Sequence, residues 1–410
     1  MFKRNLIRLL FFVSLIILAI AFRLWLAHSY PQKIDSTDAE QYITLASNMI
    51  SGRGYSLWHT APFYPDVYRS PGYPLFLALL MKFGINQFGR ILVQIGLELF
   101  SICLGAFAIF KVSNERAGWS ALIFALFCPF TASISTLFNS EALAMPIITL
   151  IFAIPFLFSG YICAVSIALL TGILILTRGI FLPALPLGAL IFFLARRNTS
   201  LGCRLKMPAI FTAVVLISIL PYGLWNYETH GKFSFTPLAG FGRALWGGVA
   251  MMPGFKLSPP EDAWKIHESI WRKDPTHPAP QKLIQADHEL KEIAKKEICR
   301  LPLRYLYGVA RHAIHMWFGV RFLFPFNNPT HISTVLRILG SLYFLLAVWM
   351  WIRLQIDWKI KLLGFMPAIV TAVTLPWLYF TMRYTSAIYG PFSILAGAAF
   401  FSGKSERFSK

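Results

Sequence analysis

Residues 5–27 read NLIRLLFFVSLIILAIAFRLWLA, an apolar stretch whose two charged residues, Arg8 and Arg23, lie near its ends. A transmembrane helix needs roughly 17–25 such residues. The basic start before this stretch is typical of a signal peptide, but the stretch is longer than the apolar core of one and no small-residue cleavage site follows. We therefore interpret it as a signal anchor that stays in the protein.

The rest of the chain repeats this pattern. Hydrophobic residues make up 56% of the 410 residues and charged residues only 14%, whereas soluble domains carry about 25% charge. Further apolar runs cover residues 71–84, 91–110, 117–137, 142–158, 161–177, 180–195, 207–225, 305–326, 332–352, 362–380 and 385–400. The sequence predicts an all-α polytopic membrane protein, with residues 1–410 forming a single membrane-embedded domain.

Two of these runs are poor candidates for crossings. Run 71–84 is short, which favours an interfacial or re-entrant segment, and run 305–326 carries four Arg and His side chains, which are costly in lipid. We expect both to lie along the membrane surface. A helical bundle of about ten spans then remains, with both termini in the cytoplasm and interfacial helices in two outward loops, residues 28–89 and 227–331.

The basic residues support this topology. The chain has 38 Lys and Arg against 18 Asp and Glu, a formal net charge of +20. Fifteen of the 38 fall in the short pieces that the topology places in the cytoplasm, namely 1–8, 111–116, 159–161, 196–206, 353–361 and 403–410. This is the positive-inside pattern. A nucleic-acid partner is not expected, because it would require a basic face on a soluble module.

Cysteine, histidine and glycine patterns exclude several other classes. Of the five Cys, at positions 103, 128, 163, 203 and 299, only Cys299 faces outward, so no intramolecular disulfide is expected. Cys and His show no metal-ligand spacing, and no phosphate-binding loop of the nucleotide type is present. We expect neither a metal nor another cofactor.

The first outward loop contains an acidic helix start. Ser36 or Thr37 can cap a helix that begins near Asp38, with an apolar stripe at Tyr42, Leu45, Ala46 and Met49 and an end at Gly52 and Gly54. Asp38 and Tyr42 share one face, one turn apart. Asp35, Asp38 and Glu40 suit ordinary capping on a solvated surface. Held against the membrane, such a carboxylate also suits a general base for a lipid-anchored substrate.

Several motifs, in order along the chain, resemble one family of membrane enzymes. They are Asp38-Ala-Glu-Gln-Tyr42, Gly52-Arg-Gly54-Tyr-Ser56, Arg69-Ser-Pro-Gly-Tyr-Pro74, Asn139-Ser-Glu141, Leu176-Thr-Arg178, Leu220-Pro-Tyr-Gly-Leu-Trp-Asn226 and Arg383-Tyr384 with Pro391. The family is that of the protein O-mannosyltransferases and aminoarabinose transferases, which are lipid-linked-sugar glycosyltransferases of the GT-C superfamily. The chain departs from it at Trp225, where the family usually has Arg, and at Met382, where an acidic residue is common.

The resemblance implies an inverting transfer of a sugar from a polyprenyl phosphate to an acceptor at the periplasmic face of a bacterial inner membrane. Asp38 matches the family's catalytic aspartate, and Asp35 is its rival. The acceptor remains open among glycan, lipid and protein. The resemblance implies a polyprenyl-phosphate-linked sugar as the donor. The residues expected to bind the substrate are Tyr42, Arg69, Glu141, Arg178, Arg243 and Arg383. Arg suits phosphate because its planar fork makes bidentate bonds, although each Arg also suits a contact with lipid head groups.

The second outward loop predicts two more helices. One begins at Ser258-Pro-Pro-Glu-Asp262, and another runs from about residue 281 to 299 with apolar residues at helical spacing. Such helices suit either a cover for the active site or a passive amphipathic cap. Gly240–Gly248 resembles the family's Gly-rich stretch and is a candidate lining for the sugar site.

Two other functions compete with glycosyl transfer. A transporter or flippase of a lipid-linked substrate predicts charged or broken helices at mid-bilayer, and Glu98 is the main acidic residue in such a position. A non-catalytic subunit with the same GT-C fold is the other alternative.

Overall fold

The computed structural model describes residues 2–29, 38–195, 200–270, 278–318, 332–378, 385 and 387–401. These residues form helices and no strands. The helices are α1 (Phe2–Ser29), α2 (Asp38–Ile50), α3 (Gly72–Lys82), α4 (Gln87–Val112), α5 (Glu115–Leu126), α6 (Pro129–Ser135), α7 (Glu141–Leu157), α8 (Gly160–Thr177), α9 (Ala184–Ala195), α10 (Leu201–His230), α11 (Phe241–Ala250), α12 (Glu261–Ser269), α13 (Pro280–Arg300), α14 (Pro302–Phe318), α15 (Ile332–Arg353), α16 (Trp358–Thr374) and α17 (Tyr389–Ala399).

The predicted all-α membrane fold is confirmed, and each apolar run contains a helix. Within the described ranges, five helices are long and apolar enough to cross a membrane, or six if the bent pair α5 and α6 counts as one span. Shorter apolar helices, such as α7, occupy other runs. The number of ten spans therefore stays a prediction.

The bend between α5 and α6 measures 52°. Pro129 opens α6 directly after it, and the carbonyl of Leu126 ends α5 there. Such a terminal carbonyl has no partner within its own helix. Arg23 of α1 supplies one, because its Nη1 donates to Leu126 O at 2.8 Å.

The two runs set aside as crossings are α3 and α14. Helix α3 packs against α2 and α8, and its Tyr73 hydroxyl donates to Gln94 Oε1 of α4 at 2.6 Å. Helix α14 lies against the short 3-10 turn Leu375–Trp377, where the Tyr305 hydroxyl donates to Trp377 O at 2.9 Å. Both helices therefore pack on the bundle, and their depth in a membrane stays a prediction.

The two helices predicted in the second outward loop are confirmed as α12 and α13. Helix α13 packs closely against α11. Its buried Leu290 and Ala294 join Leu245 and Val249 of α11 in a separate apolar cluster. The second loop therefore contains a small core of its own.

Candidate active site

Helix α2 turns one polar face into the protein. Asp38, Gln41 and Tyr42 are all buried, and they share that face because positions three and four apart are neighbours on a helix. Glu40 points elsewhere and lies 3.4 Å from His59 at its Oε1. Asp38 is therefore not on a solvated surface, and Glu40 is only partly exposed.

Arg69 lies across this face and contacts all three side chains. Its Nη2 donates to Asp38 Oδ1 at 2.5 Å, its Nε donates to Gln41 Oε1 at 2.7 Å, and its Nη1 donates to the Tyr42 hydroxyl at 3.4 Å. The guanidinium also lies over the rings of Tyr42 and Tyr68, at 5.0 and 5.3 Å from their centroids. Burial opposes its charge, but Asp38 and the neighbouring tyrosines outweigh burial and raise the pKa of Arg69. Arg69 is therefore protonated and positively charged.

The chain before Arg69 is held by Asp66. Its carboxylate accepts hydrogen bonds from the backbone N–H of Tyr68 at 3.0 Å and of Arg69 at 2.7 Å. The Tyr55 hydroxyl donates to Arg69 O at 3.0 Å. Burial raises the pKa of Asp66 to about 6, although the backbone N–H groups act in the opposite direction. The backbone of Arg69 is thus fixed on both sides before the side chain makes its contacts.

A second carboxylate–guanidinium pair lies beside the first. Glu141, in the first turn of α7, lies 2.7 Å from Nη1 of Arg178, the residue that ends α8. Glu141 is 1% exposed and the Arg178 side chain 12%, so the pair is largely buried within the protein. Burial raises the pKa of the Tyr42 hydroxyl, Arg69 lowers it, and Asp38 and Glu141 raise it, so both pairs lie within electrostatic reach of this group.

The two arginines are joined through the backbone. The N–H of Gly179 donates to Ser70 Oγ at 3.2 Å. At Gly72, an added Cβ would lie 2.7 Å from the backbone of Leu176 and Thr177. Real Cβ atoms do not approach backbone so closely, so this contact requires glycine. The loop after Arg69 is therefore packed directly on the end of the helix that carries Arg178.

Arg243 reaches the same site from the second outward loop. Its Nη1 donates to the Tyr68 hydroxyl at 2.9 Å. Its helix, α11, is capped by Asp287 of α13, whose two oxygens accept from the N–H of Gly242 at 2.8 Å and of Arg243 at 2.9 Å. Asp287, Arg243 and Tyr68 thus form a continuous chain of hydrogen bonds that ends against Arg69.

His267 of α12 is buried next to this chain. It is 1% exposed, and its Nε2 lies 3.9 Å from Asp287 Oδ1. Burial lowers the pKa of His267 to about 4, with Arg243 acting in the same direction and Asp287 against it. The ring is therefore neutral at pH 7.

Six of the residues predicted from the sequence lie in this network, and other members of it were not predicted. The structure brings together Asp38, Tyr42, Arg69, Glu141 and Arg178, with Arg243 linked through Tyr68. The prediction from the sequence did not include Gln41, Asp66, Tyr68, His267 and Asp287. Gln41 had a signal, since it lies one turn after Asp38. Asp66 and Tyr68 directly precede Arg69, whereas His267 and Asp287 come from a distant segment.

Two expected site residues, Asp35 and Arg383, lie outside the described residues, so their roles stay predictions. Within the described ranges, no three His, Cys, Asp or Glu side chains are grouped so that they could hold a metal ion. His312 instead contacts Pro376 O through Nδ1 at 3.2 Å. The expectation of a site without metal stays a prediction.

No family model matches the chain, and no curated protein is similar to it in sequence. Solved structures with a similar arrangement of helices exist. ArnT from Cupriavidus metallidurans bound to undecaprenyl phosphate is 14% identical, with a TM-score of 0.42 over 94% of this chain and 77% of that one.

The oligosaccharyltransferase of Archaeoglobus fulgidus, tethered with an acceptor peptide, is 13% identical with a TM-score of 0.51. The match covers 94% of this chain and 49% of that one. The same archaeal enzyme, AglB, in complex with an inhibitory peptide and a dolichol-phosphate gives a TM-score of 0.50 at 14% identity, over 94% and 50% of the two chains. This chain thus spans about half the length of AglB. It shares the helical fold of this archaeal enzyme.

Proposed function

We propose that this protein is an integral-membrane glycosyltransferase that moves a sugar from a polyprenyl-phosphate donor to an acceptor at the periplasmic face of a bacterial inner membrane. The observation that carries this proposal is the buried pair of Asp38 and Arg69 beside the second pair of Glu141 and Arg178. Glycosyl transfer needs a carboxylate to accept the acceptor proton and cations to stabilise the leaving phosphate. Both kinds of group occur in one network.

In the proposed reaction, Asp38 accepts the proton of the acceptor hydroxyl, with Asp35 as its rival. The acceptor oxygen forms a bond to the anomeric carbon of the sugar from one side. The bond from that carbon to the phosphate oxygen breaks on the other side, so the configuration inverts. Polyprenyl phosphate leaves with the bonding electron pair.

The arginines are proposed to bind the phosphate. A guanidinium has five N–H donors in a planar fork, so one side chain can hold a carboxylate and a phosphate oxygen at once. Arg69 and Arg178 are the nearest candidates to Asp38, followed by Arg243 through Tyr68. Arg383 is proposed on its motif alone. Tyr42, within electrostatic reach of both pairs, is proposed to contact the substrate.

The fold supports the donor class. AglB, whose fold this chain shares, has been solved in complex with an inhibitory peptide and a dolichol-phosphate, and the oligosaccharyltransferase of the same organism has been solved tethered with an acceptor peptide. We propose a polyprenyl-phosphate-linked sugar for this chain, without a metal or nucleotide cofactor. The acceptor is proposed as a glycan, a lipid or a protein. Because this chain spans only half of AglB, the acceptor of AglB is not carried over to it.

Asp38→Asn provides the test. Wild type and variant are expressed in membranes, and release of sugar from labelled polyprenyl-phosphate-sugar extracts is measured. Asp357→Asn is a matched control, because Asp357 caps α16 in an exposed position. We expect transfer by wild type and the control, and its loss in Asp38→Asn. Undiminished transfer would remove Asp38 as the base and shift the role to Asp35 or Glu141.

The acidic residue that suits a transporter has a structural partner. Both oxygens of Glu98 accept from Arg23, at 2.6 Å each, and Arg23 also donates to the carbonyls of Ala19 and Leu126. This saturated pair ties α1 to α4 and offers no support for a transport path. Flippase activity without sugar release would favour a transporter. No activity with an intact fold would favour a non-catalytic subunit.

A further inference from the structure

A groove lies between α1, α4 and α5, at the end of α4 that is remote from Asp38. Helix α4 has 26 residues, which makes it about 39 Å long. Gln94 near its start touches Tyr73 on the active-site side. The groove lies near its other end and is lined mainly by Phe12, Cys103, Ala106, Phe107, Phe110 and Leu122. The two sites are therefore far apart along one helix.

The inner part of the groove is apolar. Its volume is about 290 Å³, and it follows α4 from Cys103 to Phe110, which is about two helical turns or roughly 11 Å. Gly118 brings α5 against α4 at the base, since an added Cβ would lie 2.8 Å from Phe110 Cβ. Phe107 and Phe110 remain half-exposed on the outer surface of the bundle. This shape suits one flexible hydrocarbon chain.

The mouth of the groove is polar and basic. It opens into a wider cavity of about 640 Å³, lined by Arg8, Asn114, Glu115, Arg116 and Trp119, with Phe401. Arg8 and Glu115 form an ion pair, so their charges cancel. Arg116 is exposed, and Lys111 lies over the ring of Phe107 at 5.3 Å. Two positive charges therefore remain where the apolar part ends.

We propose that this groove binds an anionic phospholipid of the bilayer. One acyl chain lies among Phe12, Phe107 and Phe110, and the phosphate contacts Arg116 and Lys111. An apolar slot that ends at basic side chains with no ion pair among the described residues matches a lipid with a negative head group better than a zwitterionic one. The site is separate from the proposed glycosyl transfer and does not depend on it.

Helix α1 is held in place by ion pairs, which explains why the groove stays open. Only 22% of its most apolar stretch is buried, so α1 lies at the periphery. Ion pairs hold it at two levels, Arg8 with Glu115 and Arg23 with Glu98. Between these levels the side chains of α1, α4 and α5 leave the groove open.

Native mass spectrometry of the full chain tests the proposal. The protein in detergent is mixed with phosphatidylglycerol or with phosphatidylcholine of the same chains, and the lipid retained is counted. We expect one phosphatidylglycerol to be retained in preference. Arg116→Gln should weaken that preference by about fivefold, the effect of one basic residue at an anionic surface. Cys103→Phe should fill the slot and reduce retention of both lipids.

Lys359→Gln is the matched control, a basic residue next to Asp357 and outside the groove. It should leave the preference unchanged. Equal retention of the two lipids by wild type, or the same preference in Arg116→Gln, would overturn the head-group assignment. Unchanged retention in a folded Cys103→Phe, checked by gel filtration, would overturn the chain site.

Discussion

Arg23 of α1 and Glu98 of α4 form a bidentate ion pair, with Nε to Oε2 and Nη2 to Oε1 both at 2.6 Å. Their side chains are 0% and 1% exposed. A buried pair of this kind adds little net stability over an apolar pair, but loss of one partner leaves an uncompensated buried charge. The pair therefore specifies how α1 joins the bundle.

Glu98→Gln is expected to destabilise the protein by about 3–5 kcal/mol, because Arg23 then keeps its charge without a carboxylate. Thermal unfolding in detergent measures the effect. The double variant Arg23→Met with Glu98→Leu removes both charges and should recover most of the loss. Equal unfolding temperatures for wild type and Glu98→Gln would contradict this role.

Arg69→Lys is expected to reduce sugar transfer by about 100-fold, the scale of losing one oriented donor at a reacting site. Lysine keeps the positive charge but cannot contact Asp38, Gln41 and Tyr42 together as the fork does. Initial transfer rates from labelled donor measure the change. The control is Arg53→Lys in the same loop, where the exposed Arg53 lies over the Phe63 ring. A similar transfer rate in Arg69→Lys and Arg53→Lys would argue against a role for the three contacts that Arg69 makes.

Gly242→Ala is expected to separate α11 from α13. Its Cβ would lie 1.8 Å from the backbone oxygen of Asp287, so the two helices cannot keep their present distance. Faster amide hydrogen exchange in α11 and α13, with α4 unchanged, is the expected signature. Gly202→Ala is the control, since nothing lies within 4 Å of its added Cβ; there alanine should be neutral or stabilising by about 0.5–1 kcal/mol. Equal exchange in both variants would refute the close contact.

Asp66→Asn tests the consequence of a raised pKa. The pKa of Asp66 rises from 3.8 to about 6 on folding, so the native state holds the proton more tightly. This contribution to stability is present below pH 4 and is lost as the pH rises through 6. Two pKa units correspond to about 2.7 kcal/mol. Unfolding of wild type relative to Asp66→Asn, followed from pH 4 to 7, should show this decline; parallel curves would exclude it.

The parts of the site that the sequence predicts are local. Helix α2 begins at Asp38 and stops before Gly52, as its acidic first turn and its glycines indicate. The face shared by Asp38 and Tyr42 follows from the helical repeat. The return of Arg69 to that face could not be predicted, because it depends on a turn held by Asp66 and on tertiary packing.

The long-range partners have no signal in a single sequence. Asp287 caps α11 from a helix that begins about 40 residues later, and nothing in the spacing of its neighbours indicates that contact. The charge pattern likewise indicated a membrane topology, while the lengths of the helices within each apolar run depend on tertiary packing. The close contact at Gly72 has no signal in the sequence either. Its sequence context predicts a helix start and does not indicate the backbone of Leu176 and Thr177 that packs against it.

The contact at Gly72 fixes the backbone that follows Arg69 against the backbone that precedes Arg178. The points from which the two arginine side chains start are therefore fixed relative to each other, and only their rotamers can adapt to a ligand. The segment before α11 is tied to the same loop, because the N–H of Ala239 donates to Val67 O at 2.9 Å. Adaptation to substrates of different size would therefore fall to the arginine side chains rather than to the helices that carry them.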